Sequence, residues 1–326
     1  MKSSRDLELI IPVFNEATVL QSLFDHLDAA FSLPELKRCG LSGVRFLFID
    51  DGSTDQTASI LAKRIRSGWP AGLIRLSRNF GHQAALTAGL DRASASLVGI
   101  LDADLQDPPE LILEMVRKLG EGFDIVYGQR RSRQGPVLKR FMYWGLYRLY
   151  KLFTGINLPM DTGDFCVMKS QVVRALGNLP EKQKFHRGLR SWVGFRQTGF
   201  LYDRPERVAG ASKYDWAHLY TLATNGIASL SIRPLRVTQG VLFFSLTITV
   251  SILTLTLLKF LQMTRPDPFW TLLLTTQTMI TFTSSLQIFC LYILGAYVGR
   301  TYLEVKSRPP YIVMETIERT ESETAE

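Results

Sequence analysis

The chain has 326 residues, of which 46% are hydrophobic, and a formal net charge of +8. This length suffices for one large domain or two smaller ones, each with its own core. A basic excess can indicate nucleic acid, but much of it lies in residues 129–151 and beside two apolar runs, where anionic lipid or phosphate would be the partner. We therefore expect a membrane and phosphate groups as partners, and no nucleic acid.

Three scattered cysteines show neither a disulfide framework nor metal-ligand spacing, which is typical of a reducing compartment. The first residues (MKSSRDLELIIPVFNE) contain too short an apolar stretch and no cleavage-like site for a secretory signal. The part of the chain before the apolar runs is therefore expected in the cytoplasm.

Short apolar runs alternate with helix-like stretches over the first 130 residues. The runs predict strands buried on both faces at Leu7–Val13, Val44–Asp50, Leu73–Ser77, Leu97–Asp102 and Phe123–Tyr127. Helices are predicted between them at Glu16–Phe31, Asp55–Arg66, His82–Ala93 and Pro109–Leu119. This order implies an α/β domain with a mostly parallel sheet, in which ligands bind beyond the carboxyl ends of the strands.

Polar clusters follow three of these strands, at residues 12–16 (PVFNE), 50–55 (DDGSTD) and 102–107 (DADLQD). Residues 50–55 equally suit a turn and helix cap.

The third cluster is the most specific. Asp102 and Asp104 can converge at a strand end, and adjacent carboxylates repel each other unless a cation lies between them. Together with the Gln106 amide oxygen they suit Mg²⁺ or Mn²⁺, which would also hold a substrate diphosphate. The alternative is that the two acids only cap the next helix.

Basic side chains could supply the other half of a phosphate site. Taken singly, each is better explained as a solvated surface charge. The candidates are Arg78, His82, Arg130, Arg131, Arg140 and Lys213. Arg130 and Arg131 are distinguished by following the strand Phe123–Tyr127, which places them at the same sheet edge as the acids.

The segment Lys139–Phe153 (KRFMYWGLYRLYKLF) interleaves basic residues with aromatic and aliphatic ones. This composition is typical of a helix in the membrane interface, although a core helix with a basic edge fits this segment equally well. The apolar runs downstream favour the interface. Trp216–Ile232 is a second candidate for such a helix.

Charges almost vanish after Arg236. Val237–Leu258 is a run of 22 uncharged residues and Pro268–Gly299 a run of 32. About 20 residues suffice to cross a bilayer, so we predict two transmembrane helices. The chain is then a multi-pass membrane protein, and the flanking basic residues indicate that both termini are cytoplasmic. The tail after Met314 is acidic and polar and is expected to be disordered.

Seven motifs occur in order across roughly residues 7–214: PVFNEA, IDDGSTDQT, SRNFGHQAAL, DADLQDPPE, GQRRSR, GDF and ASKY. The set resembles glycosyltransferase family two, and within it the polyprenyl-phosphate glycosyltransferases, which include dolichyl-phosphate mannose synthases and bacterial bactoprenol glucosyltransferases. The resemblance implies a GT-A (Rossmann-like) domain with interface helices and two C-terminal transmembrane helices. On this basis residues 1–135 bind nucleotide-sugar and metal, 136–232 face the acceptor, 233–300 span the membrane and 301–326 form a cytoplasmic tail.

The resemblance also assigns donor-binding residues. Pro12, Glu16 and Asp50 would hold the base and ribose of a nucleotide-sugar, with Arg78 as a further contact. Binding of Mg²⁺ or Mn²⁺ and of the donor diphosphate would fall to Asp102, Asp104 and Gln106.

Acceptor and catalytic residues follow from the same resemblance. Catalytic roles would fall to Asp104, Arg130 and Asp164, although helix or turn capping also explains Asp164. The acceptor phosphate would meet Arg131, Arg140 and Lys213. The chain departs from the family pattern at Phe14, where a tyrosine is common, and at Trp144, where mannose synthases often carry serine.

The implied activity is inverting transfer of glucose from UDP-glucose to undecaprenyl phosphate, by an enzyme that assembles as a homo-oligomer such as a tetramer. A GDP-mannose-dependent transferase and a non-catalytic membrane scaffold are the alternatives. A dinucleotide-linked oxidoreductase is disfavoured because no GxGxxG follows the first strand.

Overall fold

The computed structural model describes residues 5–131, 148, 159, 162–203, 233–262 and 268–319. Within them, eight strands form one sheet in the order β7-β5-β6-β4-β1-β2-β3-β8. The strands are β1 (Arg5–Val13), β2 (Leu41–Asp50), β3 (Ala71–Leu76), β4 (Leu97–Ile100), β5 (Ile125–Arg130), β6 (Thr162–Lys169), β7 (Gln197–Tyr202) and β8 (Val313–Ile317). The helices are α1 (Leu20–Ala30), α2 (Leu33–Arg38), α3 (Thr57–Arg66), α4 (His82–Arg92), α5 (Leu111–Leu119), α6 (Ser170–Gly177), α7 (His186–Trp192), α8 (Arg233–Gln262) and α9 (Pro268–Val305).

The centre of the sheet is parallel, because β3, β2, β1 and β4 pair in the same direction. On the β4 side, β6 runs antiparallel to both β4 and β5, and β7 is parallel to β5. Successive residues of β1 face opposite layers: Leu9 packs in the core with α1, α3 and α5, and Ile10 in the core with α4 and α6. Burial on both faces explains why these strands read as continuous apolar runs.

The five predicted strands and the four predicted helices are confirmed, with ends that shift by up to four residues. The sequence patterns did not indicate α2, β6, α6, α7 and β7. The antiparallel strand β6 enters between β4 and β5 and brings Asp164 into the sheet.

The prediction of a disordered tail after Met314 is wrong for residues 315–317, which belong to β8. This strand pairs antiparallel with β3, with Leu73 opposite Ile317 and Ile74 opposite Thr316. The open edge of β3 supplies the backbone partners, Ile317 packs against the core, and Arg45 forms an ion pair with Glu318 at 3.1 Å. Tertiary pairing therefore outweighs the polar composition of this segment.

The two long helices α8 and α9 lie between β7 and β8 in the chain and pack against each other. In α9, Thr275–Val305 is long and apolar enough to cross a membrane, and its most apolar part is not buried against protein. The apolar part of α8 among the described residues, Gly240–Ile252, is shorter than a crossing requires. Length and composition thus support one of the two predicted spanning helices. Trp216–Ile232, and Lys139–Phe153 apart from Arg148, lie outside the described residues.

Candidate active site

The loops after β1 and β2 interlock at the carboxyl edge of the sheet. Asn15 adopts a left-handed conformation (φ 55°), and its side-chain oxygen accepts the Thr54 N–H at 2.8 Å. The Asn15 N–H in turn donates to the Ser53 hydroxyl at 2.9 Å, and the Glu16 N–H donates to the Thr57 hydroxyl at 2.9 Å. These bonds bring the predicted donor-binding segments 12–16 and 50–55 together.

Asp50 and Asp51 are buried and hold the surrounding loops by accepting hydrogen bonds from their backbone N–H groups. Asp50 is fully buried, accepts the Ser53 N–H at 2.9 Å and faces Arg75 at 3.4 Å. Asp51 accepts the backbone N–H groups of Phe80 and Gly81 at 2.7 and 2.9 Å. Burial raises the pKa of Asp51 above its ordinary value, although these two donors oppose the rise.

The loop after β3 lies close against Gly52, which has a φ of 72°. A Cβ atom at this position would lie 2.4 Å from the Arg78 carbonyl carbon, so only glycine fits. The Arg78 guanidinium is exposed and lies over the Phe80 ring, 4.0 Å from its centroid. Arg78 therefore lies at the rim of the sheet's carboxyl edge and is accessible to a ligand.

The loop after β4 carries the predicted metal ligands. The Oδ1 atom of Asp102 is buried without a hydrogen-bond partner, whereas one oxygen of Asp104 accepts the Gln106 N–H at 3.1 Å. Burial raises the pKa of Asp102 to about 6, and the neighbouring carboxylates Asp107, Asp164 and Asp104 add to the rise, while His82 opposes it.

His82 lies between two carboxylates, Asp164 on β6 and Asp102 in the loop after β4. Its Nε2 atom is 3.3 Å from Asp164 and 3.9 Å from Asp102. Burial lowers the pKa of His82, but the hydrogen bond to Asp164 and the charges of both acids outweigh burial and raise it to about 9. The ring is therefore an imidazolium at neutral pH.

Asp164 is the most strongly stabilised carboxylate of the site. It lies on β6, is buried, and accepts a hydrogen bond from the Gln83 side chain at 3.1 Å. Burial raises its pKa, but the His82 hydrogen bond and the cations Arg187 and Arg190 lower it well below its ordinary range. Neither Arg187 nor Arg190 was among the predicted site residues, because both lie more than 20 residues beyond Asp164 and carry no motif of their own.

Arg130 lies at the end of β5, beside a buried tyrosine–aspartate pair. The Tyr202 hydroxyl donates to the buried carboxylate of Asp107. Burial lowers the pKa of Arg130, but the hydrogen bond to Tyr202 and the charges of Asp107 and Asp102 raise it overall. Sequence patterns predicted neither Tyr202 nor Asp107 as a site residue.

The structure describes one of the three predicted acceptor residues, Arg131. Arg131 is exposed and pairs with the equally exposed Asp203 at 3.4 Å. Arg140 and Lys213 lie outside the described residues.

The donor set after β4 fits a divalent cation. The Oδ1 atom of Asp102 is buried without a hydrogen-bond partner, and the pKa of the group stays raised because His82, 3.9 Å away, only partly offsets its burial. Among the described residues, no three His, Cys, Asp or Glu side chains group closely enough to hold an ion alone. Mg²⁺ and Mn²⁺ commonly complete their coordination with substrate phosphates and water, so the set is consistent with such an ion.

The described residues form a mostly parallel α/β sheet with acids and arginines gathered at its carboxyl edge, which is a GT-A-like fold. The sequence profile described as "Glycosyl transferase family 2" matches residues 8–177. The chain belongs to this family, as the motif resemblance predicts.

Relatives match over nearly the full chain. A protein of Synechocystis sp. named as an uncharacterized glycosyltransferase is 38% identical, with 94% of each chain covered. The SfII prophage-derived bactoprenol glucosyl transferase of Shigella flexneri is 35% identical, covering 94% of this chain and 97% of the relative. Among solved structures, the mannosyltransferase PcManGT from Pyrobaculum calidifontis in complex with GDP-Man and Mn²⁺ is 17% identical. Its TM-score is 0.48, with 94% of this chain and 77% of that chain covered.

Proposed function

We propose that the chain transfers a hexose from a nucleotide-sugar to a polyprenyl phosphate by direct, inverting displacement. UDP-glucose and undecaprenyl phosphate are the first candidates, supported by the 35% identity to a bactoprenol glucosyl transferase. The exposed apolar surface of α9 supports a location at the inner membrane, where the polyprenyl tail would lie. Because β8 pairs with β3, the chain after α9 lies on the same side of the membrane as the catalytic domain, so α8 would have to cross together with α9. We propose that this side is the cytoplasm, with both termini there, and that the chain forms a homo-oligomer such as a tetramer.

One observation carries this proposal. The Asp102 carboxylate has a buried oxygen without a hydrogen-bond partner, and Arg130 is close enough for the charge of Asp102 to raise its pKa. A nucleoside diphosphate with a divalent cation would satisfy both groups, because the cation offsets the carboxylate and phosphate oxygens accept from the arginine.

The metal would be held by Asp102, Asp104 and Gln106. When bound, it would stabilise negative charge on the departing diphosphate. Arg130 would bind phosphate oxygens from the side of β5, and its contact with Tyr202 would fix its direction. Pro12, Glu16, Asp50 and Arg78 are proposed to hold the rest of the donor, and Arg131, Arg140 and Lys213 the acceptor phosphate.

Asp164 is better suited to an electrostatic role than to proton abstraction. A carboxylate whose pKa is held well below its ordinary range is a weak proton acceptor. The acceptor phosphate, with a second pKa of about 6, is already largely ionised near neutral pH. We therefore infer that no side chain is required as a general base, and that Asp164 holds His82 and Gln83 in place beside the reacting groups.

The proposal is tested by transfer of labelled sugar to undecaprenyl phosphate in detergent with Mn²⁺ or Mg²⁺. The comparison includes wild type, an EDTA-treated sample, Asp104→Ala, and the control Asp25→Asn on the exposed face of α1. Lipid-linked product that disappears with EDTA and Asp104→Ala, but not with Asp25→Asn, is expected. Product formed with GDP-mannose but not with UDP-glucose would identify GDP-mannose as the donor. No product with any donor from folded protein would overturn the enzyme function and favour the scaffold.

A further inference from the structure

The last turn of α9 contacts the catalytic domain through one carboxylate. Glu304 is half-buried and accepts the backbone N–H of Lys182 at 3.0 Å, with a longer contact from Gln183 at 3.4 Å. Both N–H groups belong to the loop between α6 and α7. Hydrogen bonds from N–H groups to an ionised carboxylate are among the stronger ones in proteins, so this contact defines where the loop lies.

The same loop is fixed at two further points. The Lys184 ammonium donates to the carbonyl oxygens of Leu176 and Gly177, at 2.9 and 3.0 Å, where α6 ends. The His186 N–H then donates to the side-chain oxygen of Gln83 at 2.9 Å. Only two residues separate Gln183 from His186, so a displacement at the Glu304 contact must be absorbed within a short, restrained segment.

Gln83 carries this restraint to the active site. Its side-chain oxygen accepts from His186, and its side-chain N–H group donates to Asp164 at 3.1 Å. Both ends of the amide are therefore engaged, and a rotation of the amide would break both bonds. A series of contacts thus runs from the end of α9, through the loop and Gln83, to the carboxylate that holds His82.

We propose that Glu304 is a positioning residue that couples the seating of the catalytic domain on α9 to the orientation of Gln83 and Asp164. With 38 residues, α9 is roughly 57 Å long, more than the roughly 30 Å thickness of a bilayer core, so its last turns can reach a domain outside the membrane. The inference rests on the proposed function for its kinetic consequence, but the contacts themselves do not depend on it.

The kinetic test uses the full chain in detergent or nanodiscs. Glu304→Gln replaces one accepting oxygen by an NH₂ group that faces backbone donors, so kcat should fall about tenfold while the donor KM changes less than about twofold. The control Glu318→Gln removes the ion pair with Arg45 from the same C-terminal segment and should leave kcat unchanged. In a Gln83→Ala background, Glu304→Gln should cause no further loss, because the route it acts through is already broken.

Hydrogen exchange of the ligand-free protein gives a readout independent of catalysis. Glu304→Gln should accelerate amide exchange at residues 182–183 and also at His186, whereas Glu318→Gln should affect neither. Faster exchange confined to residues 182–183, an unchanged kcat, or multiplicative losses in the double variant would overturn the proposal. If wild type transfers no sugar from any donor, the proposed function fails, and exchange at His186 alone then decides whether Glu304 positions the loop.

Discussion

Asp51 follows β2 and Asp102 follows β4, and these strands lie on either side of β1 in the sheet. Burial raises the pKa of both carboxyl groups. Their hydrogen bonding differs. Both oxygens of Asp51 accept backbone N–H groups, from Phe80 and Gly81, whereas Asp102 has a buried oxygen without such a partner. A raised pKa therefore does not by itself identify a ligand-binding carboxylate. In this pair, the two backbone N–H donors distinguish Asp51, which builds a loop, from Asp102, which could bind a ligand.

The largest expected effect is that of Asp102→Asn on activity. The substitution keeps the shape of the side chain but removes the charge that would hold a divalent cation. We expect sugar transfer to fall by more than about 100-fold, since even changes to groups that only support a metal ligand cost about 10–100-fold. Thermal stability should stay the same or rise, because the burial of this charge is only partly offset by His82. Activity at saturating Mn²⁺ and the unfolding midpoint in detergent measure the two effects.

A clear fall in the unfolding midpoint of Asp102→Asn would contradict this comparison, since Asp102 would then stabilise its loop in the same way as Asp51. The matched change Asp51→Asn keeps one accepting oxygen and serves as the reference for a loop-building carboxylate.

The next largest effect concerns stability and belongs to Asp51→Ala. It leaves the N–H groups of Phe80 and Gly81 without their acceptor, and each such loss costs about 1–3 kcal/mol. We expect a free energy of unfolding lower by about 2–4 kcal/mol, and a smaller loss for Asp51→Asn. Denaturant unfolding followed by tryptophan fluorescence measures this difference. If Asp51→Ala and wild type have the same free energy of unfolding, the N–H groups of Phe80 and Gly81 must donate to water in the variant.

Tyr202→Phe tests whether Asp107, in the same loop as Asp102, stabilises that loop through its hydrogen bond from Tyr202. Tyr202 reaches Asp107 across Gly128, where a Cβ atom would lie 3.0 Å from the tyrosine ring and 2.5 Å from the ring of Phe165. Removing only the hydroxyl should lower the free energy of unfolding by about 1–2 kcal/mol and reduce transfer severalfold, because Arg130 loses a hydrogen bond as well. Unchanged activity with lowered stability would confine Tyr202 to a structural role.

Much of the parallel half of this site could be predicted from the sequence. Strands β1 to β5 are marked by local apolar runs, and in a parallel sheet the residues that follow such runs meet at one edge. This pattern alone predicts that Pro12, Asp50 and Asp102 lie at a common edge. Whether a carboxylate there is satisfied by N–H donors depends on loops far along the chain, so Asp51 and Asp102 could not be distinguished.

The antiparallel half was less predictable. Asp107 and Tyr202 are 95 positions apart, and Thr87 and His186 are 99 apart, so no local pattern connects them. Strand β8 has the polar composition of a disordered tail and gains its structure from the open edge of β3. These features depend on tertiary pairing, which periodicity and composition do not encode.

The smallest effect expected at neutral pH is that of His186→Gln, which extends the comparison from buried carboxylates to a buried histidine. His186 is buried, and its ring bonds to the Thr87 hydroxyl at 2.8 Å. Burial lowers its pKa to about 4, with Lys184 and His82 acting in the same direction, and Asp164 and a hydrogen bond to the backbone of Gln83 opposing. The ring is therefore neutral in the folded protein, in contrast to His82.

The sign of the pH dependence follows from proton uptake. Between the unfolded pKa of about 6.5 and the folded pKa of about 4, the unfolded chain binds more protons at this histidine than the folded protein. The free energy of unfolding should therefore fall as the pH falls through this window, and this contribution should be flat above it. His186→Gln should flatten the slope between about pH 6.5 and 4 while changing stability at about pH 7.5 by about 1 kcal/mol. Identical slopes for both proteins would mean that the acid sensitivity in this window arises from a group other than His186. Asp164 acts outside the window, because its depressed pKa makes its stabilising contribution disappear only below the ordinary value of 3.8.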